Sequence, residues 1–351
     1  MIHKIEDFLK LGRNIPIIDV RTPAEFEQGH IPGAYNIPLF SNEERAVIGT
    51  IYKQDSKENA IMEGLKIVGP KMYDYVKMAK DIAVDNQILV HCWRGGMRSS
   101  SMAWLFNTAG MKADTLEGGY KAYRKYIRQS FLREQAIVIL GGMTGSNKTD
   151  ILKELHKLGE QFIDLEGIAL HRGSAFGQIG LDPQPTNEQF ENNLAKEWLA
   201  LDQSKEVWFE DESKALGAVR IVDELFLRIR KSPLVVIEKS RDLRVKHSVD
   251  DYAHLDIEEL KAALLRIKKR LGGDNVKKAL EALDNKDFAK VAELSLIYYD
   301  KTYSYGIEER KDIKKLFIPS DIYNPKENAK LILEKVKDFF LPPDCEAVKG
   351  K

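Results

Sequence analysis

The sequence predicts an α/β protein of two parallel, doubly wound sheets in tandem, the second carrying a helical C-terminal part. Three observations lead there. Short β-branched or apolar runs recur between stretches of helical spacing, at residues 15–20, 34–39, 87–91 and 114–116, then at 136–140, 161–165, 207–209 and 234–238. Alternation of that kind implies crossover connections and therefore parallel strands covered by helices. Two of these strands run directly into tight loops followed by helical runs, HCWRGGMRSS from His91 and GGMTGSNKT from Gly141. In parallel sheets ligands collect at the carboxyl ends of strands, where helix N-termini offer a positive dipole and free N–H groups. From Asp256 the pattern turns wholly helical, through Arg270 and then over residues 276–283 and 288–299.

In the first unit, residues 15–20 (IPIIDV) read as a strand ending near Asp19. Thr22-Pro23 with Glu25 reads as a helix start, and Gly29 as its stop, before the strand at 34–39. A charged insert, residues 40–76, carries helical spacing at Ala46, Ile48 and Tyr52 and again at Ile61, Leu65 and Val68. We expect it to be a helical cap over the sheet. The strand at 87–91 then delivers Cys92 into its loop. Free cysteine titrates near ~8.5, and a helix N-terminus with arginines nearby lowers that value and favours the thiolate. Cys92 is therefore the candidate nucleophile, and Arg94, Gly95, Gly96, Arg98 and Ser99 the candidate anion loop around it. A fourth strand at 114–116 leads to Gly118-Gly119 and a basic helix over residues 120–133.

The second unit opens with residues 136–140 (AIVIL), the uninterrupted apolar run of a buried parallel strand. From Gly142 the spacing is G-x-x-x-x-N-K-T, a phosphate-binding P-loop with Asn147 where a second glycine usually stands. The backbone must curl there, and asparagine is, after glycine, the residue most tolerant of left-handed geometry. Gly142, Gly145, Ser146, Asn147, Lys148 and Thr149 are the expected diphosphate-binding set, with Lys148 on the terminal phosphates and Thr149 placed for Mg²⁺. The strand at 207–209 ends in Glu210-Asp211-Glu212, where P-loop proteins put a metal-binding acid, and Asp211 is the candidate. The exit of the strand at 234–238 carries Lys239, Arg241, Arg244 and Lys246; downstream come Arg266, Lys269 and Arg270, then Tyr298, Tyr299, Tyr303 and Tyr305. Basic residues interleaved with aromatics suit stacking on unpaired RNA bases. Arg241, Arg244, Lys246, Arg266, Lys269 and Arg270 are accordingly the candidate RNA contacts.

Composition excludes several classes. The 54 Lys+Arg balance 54 Asp+Glu, so net charge points to no polyanionic partner and only local patches can. Lacking an apolar run of ~18 residues or a secretory signal order, the chain is expected to be cytoplasmic and to have no membrane partner. Cys92 and Cys345, the latter in the polar tail PPDCEAVKGK, are too few for a disulfide framework or a cysteine-rich zinc site.

The run IDVRTPAEFEQGHIPGAYNIP, the CWRGGMRS loop and the closing LEGGYKAYR together resemble a rhodanese domain over residues 1–128. That resemblance implies that Cys92 carries a chalcogen as a persulfide or selenosulfide, with the loop amides and Arg98 stabilising its charge. Asp19 and Arg21 match positions that are mostly structural in rhodaneses, and they read as a buried ion pair. With the P-loop unit over residues 129–351, and with DLEGIALHRGSAFG, QPTNEQFENNLA and FEDES, nearly the whole chain resembles the bacterial tRNA 2-selenouridine synthases, matching least after about Lys246. This second resemblance implies replacement of sulfur by selenium in wobble 2-thiouridine through an S-geranylated intermediate. Geranyl diphosphate and selenophosphate would be substrates, the tRNA would bind by its anticodon arm, and no cofactor would be tightly held. Diphosphate is the leaving group of the alkylation, so the P-loop is expected to be an isoprenoid-diphosphate site and Cys92 to hold or deliver selenium. Two other classes stay open: a rhodanese sulfurtransferase fused to an ATP-dependent kinase or NTPase, and an RNA-binding module in which Cys92 is idle. The tRNAs chosen, the covalent state of Cys92, the oligomeric state and a role for Cys345 are not legible in the residues.

Overall fold

A computed structural model describes residues 1–339, and Cys345 lies outside the described residues. The chain divides into two compact units, one of Met1–Leu132 with Glu188–Lys196, the other of Arg133–Asn187 with the chain from Glu197 onward.

The first unit runs β1 (Ile2–His3), α1 (Ile5–Leu11), β2 (Ile17–Asp19), α2 (Pro23–Gln28), β3 (Tyr35–Asn36), α3 (Asn42–Gln54), α4 (Lys57–Val68), α5 (Met72–Ile82), β4 (Gln87–His91), α6 (Met97–Thr108), β5 (Lys112–Leu116) and α7 (Gly119–Ser130). Its five strands pair in parallel in the order β1-β5-β4-β2-β3, with β4 in the middle. Ile18, Ile88, Leu89 and Val90 are buried because a central parallel strand is covered on both faces. Helix α2 starts as expected: Thr22 and Glu25 form a reciprocal capping box and Pro23 fills the first turn. Ser41 and Glu44 do the same for α3.

The insert is a cap of three helices. Phe40, Tyr75 and Ala79 join the core, with Ile48, Ile67, Val68, Met72 and Val76 packed against it. Three of the spacing residues, Ala46, Tyr52 and Leu65, instead face outward, since only one stripe of each helix meets the sheet. Strand β1 had no signal in the sequence, because two residues cannot display a period.

The second unit runs β6 (Ile137–Gly141), α8 (Lys148–Lys157), β7 (Gln161–Phe162), α9 (Leu165–Ala169), the ends of α10 (Asn187–Ala200), whose residues Glu188–Lys196 belong to the first unit, β8 (Val207–Glu210), β9 (Ala215–Leu216), β10 (Val219–Arg220), α11 (Asp223–Lys231), β11 (Leu234–Glu238), α12 (Arg241–Tyr252), α13 (Ile257–Arg266), α14 (Lys268–Leu271), α15 (Gly273–Asp284), α16 (Phe288–Glu308), β12 (Lys315–Pro319) and α17 (Pro325–Phe339). Its main sheet is parallel in the order β12-β11-β6-β8-β7, and β9 and β10 form a separate hairpin. Helices α13, α15 and α16 bury Leu260, Leu264, Val276, Leu283 and Val291 in a core of their own, with Phe176 and Ile179.

Three expectations change. The strand expected at 161–165 ends at Phe162, because Asp164 accepts the Gly167 N–H at 2.8 Å and starts α9. The basic exit after β11 is a helix, α12, capped by Ser240. The region from Asp256 is not wholly helical, since β12 pairs along the whole of β11 at the sheet edge. A five-residue edge strand with lysines before it and proline at its end reads as a loop in sequence.

Asp19 and Arg21, at the end of β2, are fully buried. Arg21 Nη2 donates to Asp19 Oδ2 at 2.6 Å and to Gly29 O at 2.6 Å, and its guanidinium lies 3.7 Å from the Tyr120 ring centroid. The pair therefore ties β2 to the end of α2 and to α7. Removing one partner strands a buried charge, so Arg21→Ala is expected to destabilise the unit by about 3–5 kcal/mol. The double change Arg21→Ala with Asp19→Leu should cost less than Arg21→Ala alone, and urea denaturation of the three proteins checks the order.

Candidate functional site

Cys92 follows β4, the chain turns at Gly95 and Gly96, and α6 begins at Met97. Helix α7 clamps this turn: the Tyr120 N–H donates to Cys92 O at 2.8 Å and the Lys121 N–H to Trp93 O at 3.0 Å. Gly119 has φ +59°, and a Cβ there would stand 2.3 Å from Cys92 O and 2.5 Å from Gly95 N. Only glycine fits, which is the physical content of the LEGGYKAYR motif.

The Cys92 side chain is buried, with Sγ 3.3 Å from Ser99 Oγ. Burial opposes the thiolate, but the Ser99 hydroxyl and the backbone N–H groups of Arg94, Ser99 and Gly96 outweigh it, and the pKa is lowered. The arginine side chains expected to lower it are not among its main causes. Arg98 is turned to Glu25, Nη1 to Oε2 at 2.7 Å, and Arg94 is exposed. The loop thus stabilises a thiolate with backbone dipoles and one hydroxyl, as at other helix N-termini.

In the second unit, Asn147 stands just before α8 in the left-handed conformation, φ 60° and ψ 40°. Gly145 has φ +81°, and a Cβ there would lie 2.5 Å from Arg244 O, so the loop is seated on α12. The N-terminus of α8 presents Lys148 and Thr149 to an acidic wall. Thr149 Oγ1 donates to Glu210 Oε2 at 2.6 Å and lies 3.2 Å from Glu166 Oε2; Lys148 Nζ lies 3.2 Å from Glu210 Oε1. Glu166, Glu210 and Glu212 each bring a carboxylate oxygen within 4.8 Å of the others. An all-oxygen set of this kind, with the Thr149 hydroxyl, fits a hard divalent cation such as Mg²⁺.

Crowding shifts the pKa values of these groups. Burial, then the Glu210 charge, push the Glu166 carboxyl up to about 8. Glu212 is raised by burial, Glu210 and Glu166. Burial alone would discharge Lys148, but Glu210, Glu212 and Glu166 outweigh it and hold it charged.

The acid facing the loop is therefore Glu210, not Asp211. Side chains alternate along a strand, so adjacent residues at the end of β8 face opposite ways. Asp211 is engaged by the guanidinium of Arg310, with Arg230 Nη1 at 3.8 Å. An acidic triplet does not reveal its phase, and nothing near Glu166 in sequence marks it as a partner of Thr149.

The expected RNA contacts separate into two groups. Arg244 is buried, bonding Asp300 at 2.7 and 2.9 Å and Thr144 O at 3.2 Å, so it braces the P-loop and is no surface contact. Arg241, Lys246, Arg266, Lys269 and Arg270 are exposed. Lys239 is buried with Nζ 3.4 Å from His247 Nε2, and burial lowers its pKa to about 8. Tyr303 accepts the Gly142 N–H at 2.5 Å and Tyr299 the Ala175 N–H at 2.9 Å, so these two hold loops, whereas Tyr305 is exposed.

A helix-terminus thiol at the edge of one parallel sheet and a P-loop at the edge of a second define a class, a two-domain α/β protein of rhodanese-like and P-loop type. Family comparison agrees: residues 4–126 match the rhodanese-like domain and residues 135–321 the tRNA 2-selenouridine synthase AAA domain. Curated tRNA 2-selenouridine synthases are similar along most of their length. The protein of Sulfurovum sp. (strain NBC37-1) is 37% identical, over 84% of this chain and 89% of its own. That of Bdellovibrio bacteriovorus is 35% identical, over 87% and 92%, and that of Bordetella petrii 34%, over 87% and 90%. The chain belongs to the tRNA 2-selenouridine synthase family. No helix among the described residues is long and apolar enough to cross a membrane.

Glu166 provides a test of the acidic wall. Its pKa is raised above the unfolded 4.5, so folding penalises its charge: stability is full below 4.5 and is lost as pH climbs through about 8. Glu166→Gln cannot ionise there, and its loss of stability over that window is expected to be smaller than in the wild type. Urea midpoints measured across the window decide it; parallel curves for the two proteins would count against the assignment.

Proposed function

We propose that this chain replaces sulfur by selenium at carbon 2 of a wobble 2-thiouridine in tRNA, through an S-geranylated intermediate, using geranyl diphosphate and selenophosphate. The observation that carries the reading is the pairing, on one chain of this family, of a stabilised thiolate with a phosphate loop. The thiocarbonyl sulfur of the base is a poor leaving group until it is alkylated. In the first step that sulfur would attack the isoprenoid C1 and release diphosphate, and the P-loop unit has the groups for the departing charge: the amides before α8, Lys148 and Thr149. A Mg²⁺ ion at Thr149 with Glu210, Glu166 and Glu212 would supply charge neutralisation there. In the second step the selenium of selenophosphate would attack carbon 2 and expel geranyl thiolate, and water would then cleave the Se–P bond and release phosphate, with the amides of the Cys92 loop and Ser99 holding the donor's negative charge.

The division of labour is testable. Cys92→Ala should abolish selenium incorporation into tRNA and leave geranylated tRNA measurable by nucleoside analysis; equal loss of both products would refute it. Lys148→Ala removes a charge-assisted contact worth about 1.5–3 kcal/mol. Titration with geranyl diphosphate should then give a Kd weaker by about ten- to a hundredfold. An unchanged Kd, or rapid ATP turnover by the wild type, would favour a nucleotide-using fusion instead.

A further inference from the structure

Beside the acidic wall the second unit has a cavity of about 790 Å³, in the size range of ligand pockets, that the P-loop chemistry does not use. Tyr298 and Tyr299 line it, with Ile179 and Ile267 among its apolar residues. Gly173, on its lining, backs onto the wall: a Cβ there would stand 2.5 Å from Glu166 Oε1 and 2.8 Å from Glu212 Oε1.

His171 also lines the cavity. Two features say what it takes. Arg266 and Arg270, also on the lining, are exposed; their recorded partners are Ala175 O at 3.4 Å and Tyr298 Oη at 3.1 Å, with no carboxylate in ion-pair range among the described residues. Glu259, the acid on the same lining, lies two helical turns before Arg266. The second feature is the aromatic pair itself, ring centroids 5.1 Å apart. A hydrocarbon chain would gain nothing from two guanidiniums. An unpaired nucleotide uses both features, since bases stack on tyrosine and arginine and phosphates pair with arginine.

We propose that this cavity receives a single splayed-out nucleotide of the RNA substrate, base inward against His171 and the tyrosines, flanking phosphates on Arg266 and Arg270. The assignment rests on the tRNA reading above and adds to it where the reacting base enters, next to the diphosphate site.

Ala262 is exposed on the lining, so Ala262→Trp should fill the cavity without disturbing the core. Full-length wild type and variant would be titrated with an anticodon stem-loop RNA and, separately, with geranyl diphosphate. The expected result is RNA binding weakened at least about tenfold with geranyl diphosphate binding unchanged. His171→Ala, read the same way, serves if the tryptophan variant does not fold. In the wild type, a stem-loop carrying photoreactive 4-thiouridine at the wobble position should crosslink to peptides bearing His171 or Tyr298 and Tyr299. Weakened geranyl diphosphate binding with RNA binding intact would make the cavity an isoprenoid site and overturn the proposal while sparing the proposed activity. Crosslinks mapping elsewhere would also overturn it. If the wild type binds no stem-loop, the tRNA reading fails, and this inference with it.

Discussion

Parallel strand pairing is the constraint on which both sites depend. When β4 lies between β2 and β5, the carboxyl ends of all three reach the same edge, so Cys92, Arg21 and Gly119 converge although they are far apart in sequence. When β6 lies between β8 and β11, the P-loop, Glu210 and Lys239 converge in the same way. Each edge also receives the N-terminus of the helix that follows its central strand, with unpaired N–H groups and a positive dipole. Backbone geometry alone thus makes two places that favour negative charge, before any side chain is chosen.

Side chains then divide the labour differently in the two units. Around Cys92 the thiolate is favoured by neutral donors, and the nearby guanidinium of Arg98 is neutralised by Glu25. Charge at the P-loop is instead concentrated: one lysine faces three carboxylates in a mostly buried space. Such a cluster is electrostatically unsettled, as the raised Glu166 and Glu212 show, and a cation or a phosphate–cation pair would relieve it. The neutral and the charged solutions suit their proposed ligands, a polarisable chalcogen in one and a diphosphate in the other.

Structural bracing accounts for much of what looked like surface chemistry. Arg244 and Tyr303 sit among basic and aromatic residues that suggested an RNA face, yet both fix the P-loop backbone, through Thr144 O and the Gly142 N–H. The residues left exposed on α13 and α14 are fewer, and two of them, Arg266 and Arg270, border the cavity.

By itself the sequence determined whatever depends on local pattern. Period and apolar runs placed the central strands, with β11 found at its observed bounds, and the capping residue Thr22 starts its helix where local chemistry requires. Glycine spacing located both loops, and the preference of asparagine for left-handed geometry explained Asn147. Tertiary structure decided whatever depends on direction and partnership. Which of three consecutive acids faces Thr149 is set by the phase of β8; whether Arg98 meets Cys92 or Glu25 is set by how α6 lies against α2; and β12 exists because β11 offers it an open edge. A linear pattern records how often apolar residues recur, but the energies that choose a partner fall off within a few ångströms in space, and only the folded chain sets those distances.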